Sequence, residues 1–185
     1  GEFVRGKGFI SDDLTDHALA FIEKNKAKPF FCYVPFNTPH SPFCVPDEYW
    51  NRFKDDPIKM RSQEGANEDL PVTRCALAMV ENLDWNISRV LKRLDDLKLA
   101  DNTIVIYFSD NGPNSWRWNG GMKGKKGQTD EGGVRSVCFW RWPGHIKPGT
   151  SVREITGAID LLPTLTAMAG VKRVGDKPLD GRDIS

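Results

Sequence analysis

The feature that most limits how this chain can fold is a long helical pattern in its middle, followed at once by a short apolar run. From Pro71 onward, apolar residues recur at helical spacing as far as position 97. A helix of that length runs roughly 40 Å, the breadth of a whole domain. Residues 103–108 then predict a buried strand. A domain-spanning helix that leads directly into a buried strand indicates a layered α/β fold. The periodic positions are Ala76, Met79, Val80, Leu83, Ile87, Val90, Leu91, Leu94 and Leu97.

The flanking segments predict the same fold class. A first helix is predicted with Thr15 as its candidate cap, and the aromatic run 29–36 predicts a strand. Residues 37–71 are rich in Pro, Asp and Asn, which predicts a long surface excursion. Asp160 is the candidate cap of a last helix that stops at Gly170. The order helix, strand, helix, strand, strand, helix predicts an α/β layer with a largely parallel sheet.

Composition and charge narrow the function classes. With 185 residues, 39% of them hydrophobic and 28% charged, the chain is typical of a globular domain, and no apolar run has the length of a membrane span. Residues 117–153 carry eight Lys or Arg against two acidic residues, and such a local excess attracts anions. The net charge is only +1, and no nucleic-acid-binding signature accompanies the basic segment, so we predict no nucleic-acid partner. The four cysteines lack zinc-site spacing: Cys32, Cys44, Cys75 and Cys138.

The predicted strand 103–108 ends in Ser-Asp-Asn-Gly, which has two interpretations. Asp110 and Asn111 offer hard oxygen atoms of the kind that bind Ca²⁺ or Mg²⁺, and the end of a strand would hold them rigidly. Asn111 followed by Gly112 is equally a standard turn signal. The tetrapeptide alone leaves both interpretations open and favours the turn.

Two further segments carry candidate chemistry. His40 lies between prolines just past the 29–36 run, and a histidine on a stiff loop can transfer a proton near neutral pH. The segment Met-Lys-Gly-Lys-Lys-Gly-Gln-Thr-Asp-Glu-Gly-Gly-Val-Arg, 122–135, combines glycines with lysines, which suits close approach to a tetrahedral anion. Taken alone, His40 is better explained as a loop histidine that makes one hydrogen bond, and the segment 122–135 is also consistent with a solvated basic loop.

Taken together and in order, these segments resemble the sulfatase family, the arylsulfatase branch of the alkaline-phosphatase superfamily. The resemblance runs from the first predicted helix and the Asn-Thr-Pro-His loop through Ser-Asp-Asn-Gly and Lys-Gly-Gln-Thr-Asp-Glu-Gly-Gly-Val-Arg to Asp-Leu-Leu-Pro-Thr-Leu. It implies an alkaline-phosphatase-like sheet, largely parallel and flanked by helices. Because the motifs occur in the order of the family, the turn interpretation of Asp110 and Asn111 is rejected in favour of a metal-binding strand end.

The resemblance also implies roles for particular residues. Asp110 and Asn111 match two ligands of the divalent cation of the family, normally Ca²⁺. Lys126 matches the lysine that contacts the sulfate group, and His40 matches the histidine beside the ester oxygen. Glu131-Gly132-Gly133 is expected to support the loop. Lys123 and Lys125 have no assigned counterpart; either they shape the substrate pocket or they are solvated.

The sequence departs from the family in one important respect. The family nucleophile is a formylglycine made from Cys or Ser in a C-x-P-S-R motif, and these 185 residues contain no such motif. Cys44 begins Cys-Val-Pro-Asp-Glu and is rejected as nucleophile; Asp12 and Asp13, expected ahead of the first helix, are rejected as the remaining metal ligands. We therefore expect residues 1–185 to be the carboxyl-proximal portion of a sulfatase catalytic domain, incomplete because the amino-terminal, nucleophile-bearing half is missing, and inactive alone.

Two other functions stay open at this stage. A phosphatase, phosphodiesterase or phosphonate hydrolase of the same superfamily would share the metal-binding strand. A non-catalytic anion- or glycan-binding relative would use the basic loop and the tryptophans at 116, 118, 140 and 142. The resemblance implies a sulfated small molecule or sulfated glycan as partner, and a periplasmic, extracellular or lysosomal location.

Overall fold

The computed structural model of the protein describes residues 5–63 and 65–185 and divides into two units, Gly1–Ile146 and Lys147–Ser185. No helix in the described part of the chain combines the length and apolar character needed to cross a membrane. The regular elements are α1 (Ile10–Asn25), α2 (Asp47–Phe53), α3 (Leu70–Asp96), β1 (Val105–Phe108), α4 (Glu131–Val134), β2 (Cys138–Arg141) and α5 (Leu161–Met168). Short 3₁₀ turns lie at Gly65–Asn67, Ala100–Asn102 and Ala158–Asp160.

Helix α3 packs against both α1 and α2 in the first unit. It begins at Leu70, one residue before the predicted start at Pro71, because Asp69 caps it: the Asp69 side chain accepts a hydrogen bond from the amide of Val72 at 3.1 Å, and Pro71 lies in the first turn. It ends at Asp96, one residue before the predicted end. The helix predicted from apolar periodicity is confirmed, and its buried apolar side chains are Ala76, Ala78, Met79, Leu83 and Leu94.

Helix α1 starts six residues earlier than a cap at Thr15 would place it, so the prediction of Thr15 as its cap is wrong. Phe9 occupies the cap position, and the buried Thr15 hydroxyl donates to the Ser11 carbonyl oxygen at 2.8 Å within the helix. Asp12 and Asp13 lie in the first turn of α1, not ahead of it. Carboxylates are favourable there because they face the positive end of the helix dipole.

The segment predicted as a surface excursion contains helix α2, whose residue Tyr49 is buried. The polar composition of residues 37–71 concealed this helix. Packing of α2 on α3 supplies the stability that its seven residues could not provide alone.

Strands β1 and β2 pair antiparallel, with Val105 opposite Arg141 and Phe108 opposite Cys138. Within the described residues this two-stranded pair is the whole sheet, so a largely parallel sheet is not seen among them. Residues 29–36, predicted as a strand, are extended but take no part in the pairing. Their side chains alternate between exposed and half-buried, with 78% of Phe31 and 70% of Tyr33 exposed, which is the two-residue period of strand geometry.

In the second unit, the predicted last helix is present as α5. It ends at Met168, and Gly170 adopts the left-handed backbone conformation, with φ of 62°, that terminates helices. Asp160 occupies the N-cap position of α5, as predicted, but its carboxylate makes no capping bond to the helix: it accepts hydrogen bonds from the amides of Arg182 and Gly157, both at 2.9 Å. These two bonds hold the pKa of Asp160 below its ordinary value.

Candidate active site

The candidate metal ligands follow β1 at a firmly held strand end. The Ser109 amide donates to the Val137 carbonyl oxygen at 3.1 Å, which extends the strand pairing by one residue. The Ser136 hydroxyl donates to the Ser109 carbonyl oxygen. The chain therefore leaves the sheet immediately before Asp110, whose carboxylate is exposed, and Asn111, which is half-buried.

Asp110 and Asn111 fit a divalent cation as two of its ligands. The Asn111 side-chain nitrogen donates to the Gly112 carbonyl oxygen at 2.9 Å, which leaves the amide oxygen for another partner. Among the described residues, the Asp110 carboxylate has no hydrogen bond or ion pair. Hard oxygen donors of this kind suit Ca²⁺ or Mg²⁺. In the same part of the chain, no cluster of three His, Cys, Asp or Glu residues comes together that could hold a metal.

Three glycines bring the basic loop against the strand end. The Gly112 amide donates to the Gly133 carbonyl oxygen at 3.0 Å, and the Gly132 amide donates to the Lys123 carbonyl oxygen at 2.7 Å. A Cβ atom on Gly112 would lie 1.8 Å from the Gly132 carbonyl oxygen, so no side chain fits between the two backbones. This agrees with the supporting role expected for Glu131-Gly132-Gly133.

Lys126 is tied to the same strand end through its backbone. Its amide donates to the Pro113 carbonyl oxygen at 2.8 Å, only two residues after Asn111. The loop from 114 to 125 therefore leaves the strand end and returns to it. The Lys126 ammonium then lies 3.0 Å from Nε2 of His40, a residue 86 positions away in sequence.

The histidine loop is anchored on the first turn of α1. The Thr38 hydroxyl lies 3.0 Å from the hydroxyl of Ser11, which is fully buried, and the His40 amide donates to the Asn37 carbonyl oxygen at 3.0 Å. Nδ1 of His40 lies 2.8 Å from the Ser41 carbonyl oxygen. Because a carbonyl oxygen can only accept, Nδ1 carries the proton and Nε2 is free to accept from Lys126.

The other histidines lie outside this arrangement. His17 on α1 faces Asp13, with 3.8 Å between its Nε2 and the Asp13 carboxylate. His145 stacks on Trp142, with 3.7 Å between the ring centres. The structure therefore brings together His40 and Lys126 of the sequence-predicted residues, and holds Asp110 and Asn111 on the loop that carries Lys126.

The neighbouring basic residues have partners within the loop. Lys123 pairs with Asp130 at 3.1 Å while 86% of its side chain stays exposed, and the Lys125 ammonium lies 5.3 Å from the centre of the Trp116 ring. Sequence reasoning did not single out Arg117 or Asn119. The Asn119 side chain donates to the Gly124 carbonyl oxygen at 3.0 Å and holds the loop closed; no periodic signal marks such a loop-internal contact.

Comparison with known proteins identifies the family. The family model described as Sulfatase matches residues 2–171. The chain belongs to the sulfatase family. It is 36% identical over 187 residues to the steryl-sulfatase of Mus musculus, an alignment that covers 96% of this chain and 27% of that protein. The crystal structure of Ps i-CgsB in complex with k-i-k-neocarrahexaose superposes with a TM-score of 0.85 at 31% identity, covering 100% of this chain and 39% of that one.

A third similarity concerns the fold alone. The phosphonate monoester hydrolase SpPMH from Silicibacter pomeroyi superposes with a TM-score of 0.76 at 21% identity, over 95% of this chain and 40% of that one. The expected alkaline-phosphatase-like α/β fold class is confirmed by these superpositions. This sulfatase chain spans between about a quarter and two fifths of the length of these three proteins. Membership of the sulfatase family implies a metal cofactor in general, without naming the ion.

Proposed function

We propose that the protein to which this chain contributes hydrolyses sulfate esters, with His40 and Lys126 at the sulfate group. The observation that carries the proposal is the 3.0 Å contact between Lys126 Nζ and His40 Nε2, made beside the strand end of Asp110 and Asn111. Membership of the sulfatase family supports the same reaction class. A cation, a proton-transfer group and oxygen ligands for a metal are among the groups that sulfate ester cleavage needs, together with a nucleophile.

The two side chains divide the chemistry between them. The Lys126 ammonium donates hydrogen bonds to the sulfate oxygens, on which charge builds up as the ester bond breaks. The Ser41 carbonyl oxygen holds the His40 ring with Nε2 toward Lys126. Nε2 therefore also faces the sulfate group that Lys126 would contact. A proton on Nε2, taken from Lys126 or from water, can be delivered to the departing alcohol oxygen.

We further propose that Asp110 and Asn111 bind a divalent cation, expected to be Ca²⁺. Their free oxygen atoms suit a hard cation. Such an ion, when bound, would neutralise charge on the sulfate oxygens. Asp110 would supply the compensating negative charge, and Asn111 a neutral oxygen whose direction is fixed by its bond to Gly112.

These residues form one part of a larger catalytic site under this proposal. The C-x-P-S-R motif of the formylglycine nucleophile does not occur in the 185 residues, and the chain spans only 27% of mouse steryl-sulfatase. The unpaired extended segment 29–36, with Phe31 and Tyr33 exposed, supports a sheet that continues beyond β1 and β2. Residues 1–185 are therefore proposed as the carboxyl-proximal portion of a sulfatase catalytic domain, inactive when isolated.

The substrate class proposed is a sulfated small molecule or sulfated glycan, met in a periplasmic, extracellular or lysosomal compartment. The carbohydrate complex of Ps i-CgsB supports a glycan. A purely glycan-binding role receives less support from the tryptophans: Trp142 stacks on His145 and donates to the Asp101 carbonyl oxygen, and Trp140 donates to the Cys138 sulfur. Trp118, with 52% exposed, is the one of the four that the described structure leaves broadly open to solvent.

The test compares 4-nitrophenyl sulfate with 4-nitrophenyl phosphate as substrates of the complete protein. We expect the sulfate to be preferred, and Lys126→Met to lower kcat/KM for the sulfate by at least about 100-fold. Lys123→Met is the matched control, because this lysine belongs to the same loop but pairs with Asp130; it should change kcat/KM by less than about threefold.

Two results would contradict the proposal. Preference for the phosphate ester would move the assignment to the phosphatase and phosphonate hydrolase branch, whose fold SpPMH shares. Equal losses in the two lysine variants would remove Lys126 from the sulfate site. For the isolated chain we expect no hydrolysis by a preparation whose mass shows only these 185 residues.

A further inference from the structure

A groove of about 420 Å³ lies between the start of α2 and the start of α3, and its lining includes neither His40 nor Lys126. It is lined on one side by Phe43, Val45 and Trp50 and on the other by Pro71 and Val72. Two cysteines also line this groove, one from each side. Cys44 lies in the segment that leads into α2, and Cys75 lies in the second turn of α3.

The two thiols differ in exposure and influence each other. Cys44 is exposed, Cys75 is half-buried, and both are free thiols. Burial raises the pKa of the Cys75 thiol, and negative charge on Cys44 raises it further. Both thiols line the same groove, which places them on facing sides of one opening. Cys44 also lies between Ser41 and Pro46 in a segment without helix or strand, which can adjust to the geometry of a bond.

We propose that Cys44 and Cys75 are a redox-active pair that closes to a disulfide across this groove when the protein meets a disulfide oxidant such as glutathione disulfide. The inference stands apart from sulfate ester hydrolysis, because neither cysteine lies among the residues assigned to that reaction. Cysteine spacing in the sequence gives no sign of it, since 30 residues separate the two positions.

The chemistry is two successive thiol–disulfide exchanges. The Cys44 thiolate attacks glutathione disulfide, whose sulfur–sulfur bond breaks, and one glutathione leaves and takes up a proton. The Cys75 thiolate then attacks the Cys44 sulfur of the mixed disulfide and releases the second glutathione. The protein loses two electrons and two protons, and glutathione disulfide gains them. Because the Cys75 thiol holds its proton more tightly than an ordinary cysteine, the second exchange is the slower one near neutral pH.

Closure would link the histidine loop to α3. Cys44 follows His40 by four residues, and α3 is the helix against which α1 and α2 pack. The bond would therefore restrict the segment between Ser41 and Pro46, which in the reduced protein has no regular structure. The pair would act on the segment that follows His40 without touching the reacting atoms.

The test treats the purified protein with glutathione disulfide at about pH 7 and about pH 9, quenches with acid, and maps the tryptic peptides by mass spectrometry. We expect peptide 75–89 to become linked to the peptide that contains Cys44, faster at the higher pH. That second peptide also contains Cys32, so the Cys32→Ser protein is mapped as well and should still form the link. Cys75→Ser should instead trap glutathione on Cys44, and Cys44→Ser should abolish the link.

Cys138→Ser is the matched control, because Cys138 is also an exposed free cysteine. It should lose one glutathione adduct and keep the link between Cys44 and Cys75. The proposal is overturned if glutathione persists on Cys44 in the wild-type protein at about pH 9 as long as it does in Cys75→Ser. The proposal is also overturned if Cys75 links to Cys32 instead of Cys44. It is overturned as well if the folded protein forms no link although the same glutathione disulfide reacts with the urea-unfolded protein.

Discussion

Nε2 of His40 lies 3.0 Å from Nζ of Lys126, and Nδ1 of the same ring lies 2.8 Å from the Ser41 carbonyl oxygen. The carbonyl oxygen fixes a proton on Nδ1, so only one proton can occupy the contact between the ring and the lysine. A protonated ring facing a protonated lysine would place two cations against each other. The pair therefore holds a single positive charge in this arrangement.

We expect the neutral His40 ring to carry its proton on Nδ1. Long-range ¹H–¹⁵N correlation spectra of the protein should show Nε2 as the unprotonated nitrogen. Lys126→Met removes the donor to Nε2 and should let the Nε2–H tautomer appear, whereas Lys125→Met, changed next to it, should leave the ring unaltered. A wild-type ring protonated on Nε2 would contradict the geometry.

A second prediction concerns the contact between Gly112 and Gly132. Gly112→Ala would place a methyl group 1.8 Å from the Gly132 carbonyl oxygen, where both backbones are buried and neither can yield without losing hydrogen bonds. We expect a loss of at least about 2 kcal/mol in the free energy of unfolding. Gly65→Ala is the control, since no atom lies within 4 Å of its added carbon, and denaturant unfolding should show it near neutral. Equal stabilities would exclude the close approach.

Much of the fold follows from the sequence because its causes are local. Helix α3 is visible as apolar periodicity, and its start is fixed by Asp69 and Pro71 within its own first turn. Helix α2 escaped prediction because Tyr49 is its one buried side chain, and its stability comes from packing on α3 rather than from a pattern of its own.

The site could be predicted only in part. The hard oxygen atoms of Asp110 and Asn111 stand out at a strand end, but the contact between His40 and Lys126 joins residues 86 positions apart. No periodicity relates such positions, so the resemblance to the sulfatase family carried their pairing. The antiparallel return of β2 was not predicted either, because it depends on a loop whose path is set by Gly112, Gly132 and Gly133.

A third prediction concerns the polar contacts that join α1 to α3. The Asp12 carboxylate accepts hydrogen bonds from the side chains of Asn82 at 2.9 Å and Asn86 at 2.7 Å, and both asparagines are fully buried. Asp12→Ala would leave two buried amides without this acceptor, at a cost of about 2 to 4 kcal/mol. Asp13→Ala, which removes the neighbouring carboxylate of the same helical turn, should cost less than about 1 kcal/mol. Urea titrations that rank the two variants the other way would refute the assignment.

A fourth prediction follows from Glu68. Burial alone would raise its pKa, but hydrogen bonds from the Arg61 side chain, the Ser62 amide and the Thr73 hydroxyl outweigh burial and hold the pKa below its ordinary value of 4.5. A lowered folded-state pKa means that the ionised group stabilises the fold above that ordinary value, and that this contribution is lost as the pH falls through the folded-state pKa.

Glu68→Gln should therefore be less stable than the wild type near neutral pH, by about 1 to 2 kcal/mol. The difference should shrink as the pH is lowered from about 5 to about 3. Denaturant unfolding of both proteins across this range measures it. A gap that stays constant with pH would show that the charge of Glu68 contributes nothing.

The last prediction concerns the cation. Asp110 and Asn111 present free oxygen atoms side by side after β1. Asp101 and Asn102 are an exposed pair of the same residue types, but they lie in the 3₁₀ turn before that strand and are not part of the candidate site. In the complete protein we expect Ca²⁺ to raise the Tm, and Asp110→Asn to weaken Ca²⁺ binding by at least about tenfold because it removes the negative charge and keeps the shape. Asp101→Asn removes an equal charge from the chain and should bind Ca²⁺ as the wild type does. Calorimetric titration of each variant with Ca²⁺ measures the difference. If Asp110 is a ligand, only Asp110→Asn binds Ca²⁺ more weakly; if the effect is one of general charge, both variants bind it equally.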